Sequence, residues 1–342
     1  MTAGSVAHAS PDAVVVFNEI HYNPIGQSED GEWIELFNQM GILTDLSGWR
    51  IEGIGYTFPA RSFLNPGAYL VVAKTPGPGQ FGPFTGSLEN GGERLRLINQ
   101  GDRLMDELSY GDDGRWPEAA DGSGVTLAKR NPYSANKPPE NWTAAAQVDG
   151  TPGVENFPTE VAGSVVLLNE MPPASEDPFW VELVNTGSAG AELEGMILSA
   201  GSDPLRRHVL PSQELASGAL LVLTEAELGF RPADGEKLFL FDPAESTVLD
   251  ARELTGSLRG RSEARGGDYL YPDAATPGAP NSFAFHDEVV VSEIMYNPTG
   301  PDDLEFIELT NIGIAPLDLT NVRFTKGIDF DFAADTMIDP GE

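Results

Sequence analysis

Apolar Ile34 and Leu36 alternate with Trp33, Glu35 and Phe37 in the stretch Glu32-Trp33-Ile34-Glu35-Leu36-Phe37-Asn38. Side chains that alternate in this way mark the two faces of a strand. The pattern returns in residues 179–185 and 305–311. Val181 and Leu183, then Ile307 and Leu309, take the core positions, and Glu182 and Glu308 stand in place of Glu35. A β-branched opening strand precedes each copy, in residues 14–20, 166–171 and 289–294. It stops at Asn23-Pro24, Pro172 and Asn297-Pro298, because proline removes a ladder donor.

Beyond the organising strand, Leu46, Leu193 and Leu319 anchor a turn whose next feature is Gly48, Gly195 or Asn321. Glycine and asparagine accept a positive φ most readily, which predicts a left-handed turn there. Asn65-Pro66-Gly67 leads into a strand over 68–73, and Ser217-Gly218 into one over 219–223. Later strands also match, 93–99 with 236–242 and 104–108 with 248–254. The copies close on Thr151-Pro152-Gly153-Val154-Glu155-Asn156 and Thr276-Pro277-Gly278-Ala279-Pro280-Asn281, which read as exits from the sheet and linkers.

Many short strands with Gly and Pro turns, and little helix beyond a turn at 225–228, place the chain in the all-β class. The expected architecture is a tandem of immunoglobulin-like antiparallel β-sandwiches. Residues 1–12 form a disordered leader, 13–157 the first sandwich, 164–283 a divergent second, and 288–342 the first part of a third. The third copy stops one residue after Pro340-Gly341, so it is expected to be cut within its domain, poorly ordered and prone to association through open edges.

Charge removes one class of partner. Against 53 acidic residues stand 20 basic ones, a net charge of −33 that repels nucleic acid and anionic lipid. The chain has no cysteine, which excludes disulfides, thiolate catalysis and cysteine-bound zinc. No run is apolar enough to insert in a membrane as a helix. Ala7-His8-Ala9 is similar to the end of a signal cleavage site, although the preceding signal regions are missing.

The order Asn18-Glu19-Ile20, Glu32 to Asn38, Asp45-Leu46-Ser47-Gly48-Trp49, Phe58-Pro59, Pro66-Gly67 and the closing Thr-Pro-Gly-x-x-Asn resembles the lamin tail domain in its bacterial form. Asp121-Gly122-Ser123-Gly124, Leu127, Arg130 and Asn141-Trp142 extend the resemblance through the first copy. The second copy departs at Met171-Pro172-Pro173 and at Met196, which replaces the tryptophan. The resemblance implies an immunoglobulin-like interaction module of secreted or surface proteins, often beside nuclease or spore-coat-kinase-like regions. It carries over no catalytic residues.

The recurrent pairs Glu19 with Glu35, Glu170 with Glu182, and Glu293 with Glu308 are the candidate functional groups. Paired carboxylates serve glycoside hydrolysis, but a pair repeated with the folding motif in every copy points instead to acceptors that fix strand ends. Calcium is the other candidate, since Glu29, Asp30, Glu176, Asp177, Asp302 and Asp303 lie in loops that add oxygens near those glutamates. Otherwise no cofactor is expected. The five tryptophans, Trp33, Trp49, Trp116, Trp142 and Trp180, offer a possible carbohydrate platform.

The sequence thus favours a non-catalytic segment of an extracellular or cell-surface protein, serving as a spacer and as protein or glycan adhesion modules. The alternatives are an accessory region of a larger secreted hydrolase or spore-coat-kinase-like protein, and a nuclear or nucleoid scaffold, which the charge disfavours.

Overall fold

A computed structural model describes residues 14–158, 163–201, 206–299, 304–320, 322–324, 327–328 and 330–342. The expected leader, Asp302, Asp303 and Asn321 lie outside the described residues.

The first sandwich contains β1 (Val15–His21), β2 (Trp33–Asn38), β3 (Thr44–Asp45), β4 (Arg50–Glu52), β5 (Tyr56–Thr57), β6 (Phe63–Leu64), β7 (Tyr69–Ala73), β8 (Arg94–Ile98), β9 (Leu104–Ser109), β10 (Val125–Lys129) and β11 (Trp142–Val148). One antiparallel sheet runs β11-β10-β1-β2-β7, the other β5-β4-β8-β9, and β3 pairs with β6 at the side. The second sandwich contains β12 (Val166–Met171), β13 (Trp180–Asn185), β14 (Ala191–Glu192), β15 (Ile197–Ala200), β16 (Arg207–Val209), β17 (Glu214–Leu215), β18 (Leu220–Thr224), β19 (Lys237–Phe241), β20 (Val248–Glu253), β21 (Arg259–Ser262) and β22 (Asp268–Leu270). Its sheets run β22-β21-β12-β13-β18 and β16-β15-β19-β20, with β14 paired to β17, so the topology is repeated strand for strand.

Alternation places the cores where the sequence puts them. Ile34, Leu36 and Leu46 are buried with Leu95, Leu97 and Trp142 in one core, and Val181, Leu183 and Leu193 with Leu238 and Leu240 in the other. Gly48 and Gly195 take the expected left-handed conformation, at φ 74° and 79°. The expected turn at 225–228 is a one-turn helix, Glu225–Leu228, whose capping box joins Thr224 and Glu227.

The two sandwiches pack together in one compact unit. In the first, the outer face of the β4–β8–β9 sheet carries the ion pairs Arg96–Glu52 and Arg94–Glu107. In the second, register places Phe239 where Arg96 stands and Ile197 where Arg50 stands. That face is apolar: Ile197, Phe239, Phe241 and Ala251 pack with Ala119 and Val148 of the first sandwich. The Lys237 ammonium crosses to Asp112 at 3.1 Å and closer still to Asp121.

Residues 283–342 form a separate unit. Its β23 (Val289–Met295) pairs with β24 (Phe306–Asn311), and β25 (Leu317–Asp318) with β26 (Met337–Ile338). These repeat β1–β2 and β3–β6, and an antiparallel bridge between Arg323 and Asp331 stands where β4 pairs with β5; among the described residues, no counterpart of β8 or β9 follows. Leu319 and Ile338 are buried, whereas Val291, Ile294 and Phe306 are exposed.

Candidate functional site

The glutamate pairs are created by a β-bulge. Between Phe17 and Glu19 the pairing of β1 with β2 slips by one residue at Asn18, so Glu19 stands opposite Glu35. The same slip occurs at Asn169, placing Glu170 opposite Glu182, and at Ser292, placing Glu293 opposite Glu308. A bulge sets two residues of one strand against one of the other and re-aims side chains. Two carboxylates thereby share one face of the sheet in every copy.

Like charges directly opposite are destabilising. The closing phrase answers them. The Thr151 N–H donates to Glu19 at 3.0 Å and its hydroxyl donates at 3.0 Å to the other oxygen, while the Thr126 hydroxyl donates to the first. The Gly153 N–H donates to Glu35 Oε2 at 2.5 Å, and Asn18 Nδ2 donates to Oε1 at 2.8 Å. Asn156 completes the latch by donating to the carbonyls of Asn18 and Lys129, at 3.1 and 3.0 Å. Gly153 has φ 87°, a conformation in which a side chain would be strained. Gly150, at φ 66°, leaves no room for a side chain, since a Cβ would meet Glu19 Oε1 at 2.4 Å.

The second sandwich repeats the latch. Thr276 N–H donates to Glu170 at 3.1 Å, Gly278 N–H to Glu182 at 2.6 Å, and Asn169 Nδ2 to Glu182 at 2.6 Å. Asn281 donates to the carbonyls of Asn169 and Arg261 at 3.3 and 2.9 Å. The reading of Thr-Pro-Gly-x-x-Asn as an exit and linker is therefore corrected: it folds back and caps the bulge. The repeated phrase was visible in the sequence, but its glutamate partners lie 96 to 132 residues away, and turn composition alone does not disclose them. The two bulge asparagines were not singled out; their position directly before Glu19 and Glu170 was the available signal.

Burial raises the carboxyl pKa throughout, against the donors that lower it. Glu35 is pushed up to about 8 and Glu170 to about 7, while Glu19 and Glu182 are raised in the same direction. These glutamates have little access to solvent. Glu19, Glu35, Glu170 and Glu182 are fully buried.

The loop carboxylates are placed differently. Glu29, Asp30, Glu176 and Asp177 are exposed, with Lys74 at 3.5 Å from Glu29 and Arg231 at 3.3 Å from Asp177. Among the described residues, no three acidic or histidine side chains gather into a group suited to a metal. In the separate unit Glu293 and Glu308 are exposed, and the Ser292 hydroxyl donates to Glu308 at 2.5 Å. Trp33, Trp49, Trp142 and Trp180 are buried and Trp116 packs against the first core, so these five do not present a common surface platform.

The family model of the Lamin Tail Domain matches residues 8–112. The first sandwich is a lamin tail domain. The match spans β1 to β9, including the bulge at Asn18 and the Glu19–Glu35 pair. The second sandwich reproduces the topology and the latch of the first, and the chain is an all-β tandem of immunoglobulin-like units. No curated protein matches the chain.

Proposed function

We propose that the chain is a non-catalytic structural and interaction segment of a secreted or cell-surface protein, in which the lamin tail sandwiches space and present a protein-binding or glycan-binding surface. What supports this reading is the fate of the paired glutamates. In both sandwiches their oxygens accept hydrogen bonds from the closing phrase, so the most conspicuous polar motif of the repeat serves the fold. A glycosidase would need one carboxyl beside the scissile bond and another reaching the sugar or its attacking water. Burial of four tryptophans favours a protein partner over a stacked glycan. The net charge of −33 selects partners that are not polyanions. No described helix is long and apolar enough to cross a membrane.

The test screens the purified chain for binding to immobilised surface proteins and polysaccharides, and for hydrolysis of polysaccharides and nucleic acids. Saturable binding without turnover is expected. Turnover that Glu35→Gln abolishes without unfolding the protein would replace this reading with an enzyme.

A further inference from the structure

The loop that leads into β8 is tied down by carboxylates. Leu88 N–H donates to Glu32 at 2.9 Å and Glu89 N–H to Glu93 at 3.3 Å, while the Tyr110 hydroxyl donates to the Glu89 carbonyl at 2.9 Å. The Gly92 N–H closes a β-turn on the same carbonyl at 3.1 Å, which places Asn90 and Gly91 at the two central positions of the turn. Both are exposed, and they line a pocket of about 320 Å³ together with Glu29, Glu32 and Glu89. Among the described residues, neither the Asn90 side chain nor the Gly91 N–H takes part in a hydrogen bond.

The sequence singles out this pair. Asn90 is the one asparagine of the chain that glycine follows. A side chain on the following residue shields its backbone nitrogen, and glycine has none. Asparagines elsewhere are held by their amides: Asn18, Asn156 and Asn281 in the latch, Asn38 and Asn185 by the carbonyls of Ile42 and Ala189.

We infer that Asn90-Gly91 is a site of spontaneous deamidation, in which the amide becomes a carboxylate through a cyclic imide. The Gly91 nitrogen, having lost its proton to water or hydroxide, attacks Asn90 Cγ. The N–Cγ bond forms, the Cγ–Nδ2 bond breaks, and the nitrogen leaves as ammonia with a proton from water. Water then adds across one of the two C–N bonds of the imide. Opening at Cγ gives aspartate, and opening at the main-chain carbonyl gives isoaspartate, with the chain routed through Cγ. One amide and one water become one carboxylate and one ammonium, with no change of oxidation state. The reacting groups are neighbours in the chain, so the attack is intramolecular.

Either product adds a negative charge to a loop already crowded with Glu29, Glu32, Glu89 and Glu93. Burial raises Glu32 to about 7, and the charges of Glu29 and Glu93 push it the same way. Isoaspartate also lengthens the turn that Gly92 closes on the Glu89 carbonyl. That carbonyl holds the Tyr110 hydroxyl, and the Tyr110 ring lies 5.0 Å from that of Tyr22 in the core, so the modification loosens this end of the first sandwich.

The test ages the purified full chain at neutral and at mildly alkaline pH. The intact mass should rise by the difference between a hydroxyl and an amino group, faster at the higher pH, and peptide mapping should place aspartate and isoaspartate at position 90. The aged chain should melt below the fresh one. Gly91→Ala fits the turn, because Gly91 is not among the glycines with positive φ and a Cβ there would meet nothing within 4 Å. It should all but stop the gain in mass, and its melting should not change with age. A constant mass at both pH values, or a gain that Gly91→Ala leaves unaltered, overturns the assignment of the site. A deamidated chain that melts with the fresh one overturns the loosening.

Discussion

Glu19 and Glu35 stand directly opposite each other on neighbouring strands, brought into register by the one-residue bulge at Asn18. Without that bulge the alternation of β1 would turn Glu19 toward the face that carries Phe17 and Leu36. With it, a pair of acids is buried, and the chain answers with backbone donors drawn from Thr151 and Gly153. The sandwich is closed by a contact between its first strands and its last loop.

Glu35→Gln tests that closure. Glutamine offers one acceptor where Asn18 and Gly153 now find two oxygens, and it adds two donors to a buried site. Leaving a buried donor unsatisfied costs about 1–3 kcal/mol. A lower melting temperature with unchanged far-ultraviolet circular dichroism is expected, and Glu182→Gln should act alike in the second sandwich. Melting at the unaltered temperature would show that the latch is dispensable.

The pH dependence follows from the same burial. Glu35 is raised to about 8, and Glu170 and Glu32 to about 7. A carboxyl whose pKa is higher folded than unfolded holds its proton longer in the folded chain, so the folded state binds more protons throughout the interval. This contribution is fully present below the unfolded value of about 4.3 and is lost as pH rises through about 7 to 8. The melting temperature should therefore fall between about pH 5 and pH 9, and Glu35→Gln should flatten the upper part of that fall. A melting temperature that rises over this range would refute the assignment.

Much of the fold was legible because strand periodicity is local and the chain repeats itself. Ile34, Leu36, Val181 and Leu183 announce their faces within five residues, and Gly48 and Gly195 announce their turn by residue type. Two features were not legible, for different reasons. The latch joins residues 132 and 118 apart in sequence, and its donors are backbone N–H groups, which every residue but proline possesses. The joint between the sandwiches lies on strands that the repeat matches by order alone, and no local pattern names the partner of their second apolar face. Comparing the copies discloses it: Arg94-Leu95-Arg96-Leu97 alternates, whereas Leu238-Phe239-Leu240-Phe241 is apolar on both sides, and a strand apolar on both sides is covered on both.

Calcium is the next test. The oxygens of Glu19, Glu35, Glu170 and Glu182 already accept N–H and O–H groups, and the loop acids Glu29 and Asp177 face Lys74 and Arg231. A ligand that binds only the folded state raises the melting temperature by mass action. Millimolar calcium is expected to leave melting where chelator leaves it. A rise that Asp30→Asn blunts would instead place an ion in the acidic loops.

The joint supplies the last prediction. Phe239 lies in the sheet where Arg96 stands in the first sandwich, and it is fully buried in a cluster shared with Ala119 and Val148. Beside it the Lys237 side chain is 6% exposed and meets both Asp112 and Asp121. Burial alone would lower the lysine pKa, but the two carboxylates reverse the direction and raise it, so the ammonium stays charged in the joint. Backbone donors complete the contact: Val148 N–H donates to the Ser246 carbonyl at 2.8 Å, and Glu253 N–H to the Glu118 carboxylate at 3.1 Å. Two sandwiches joined by an apolar patch, an ion clasp and backbone hydrogen bonds should unfold together. Lys237→Ala should cost about 3 kcal/mol, the lower end for breaking a buried pair, because Asp112 retains partial contact with water. Phe239→Arg restores the residue type that the first sandwich shows to solvent, so it should spare the fold of the second sandwich and sever the joint. Calorimetry of the full chain is expected to resolve one transition for the two sandwiches before this change and two after it. If Phe239→Arg melts in one unshifted transition, the sandwiches are coupled by something other than this face.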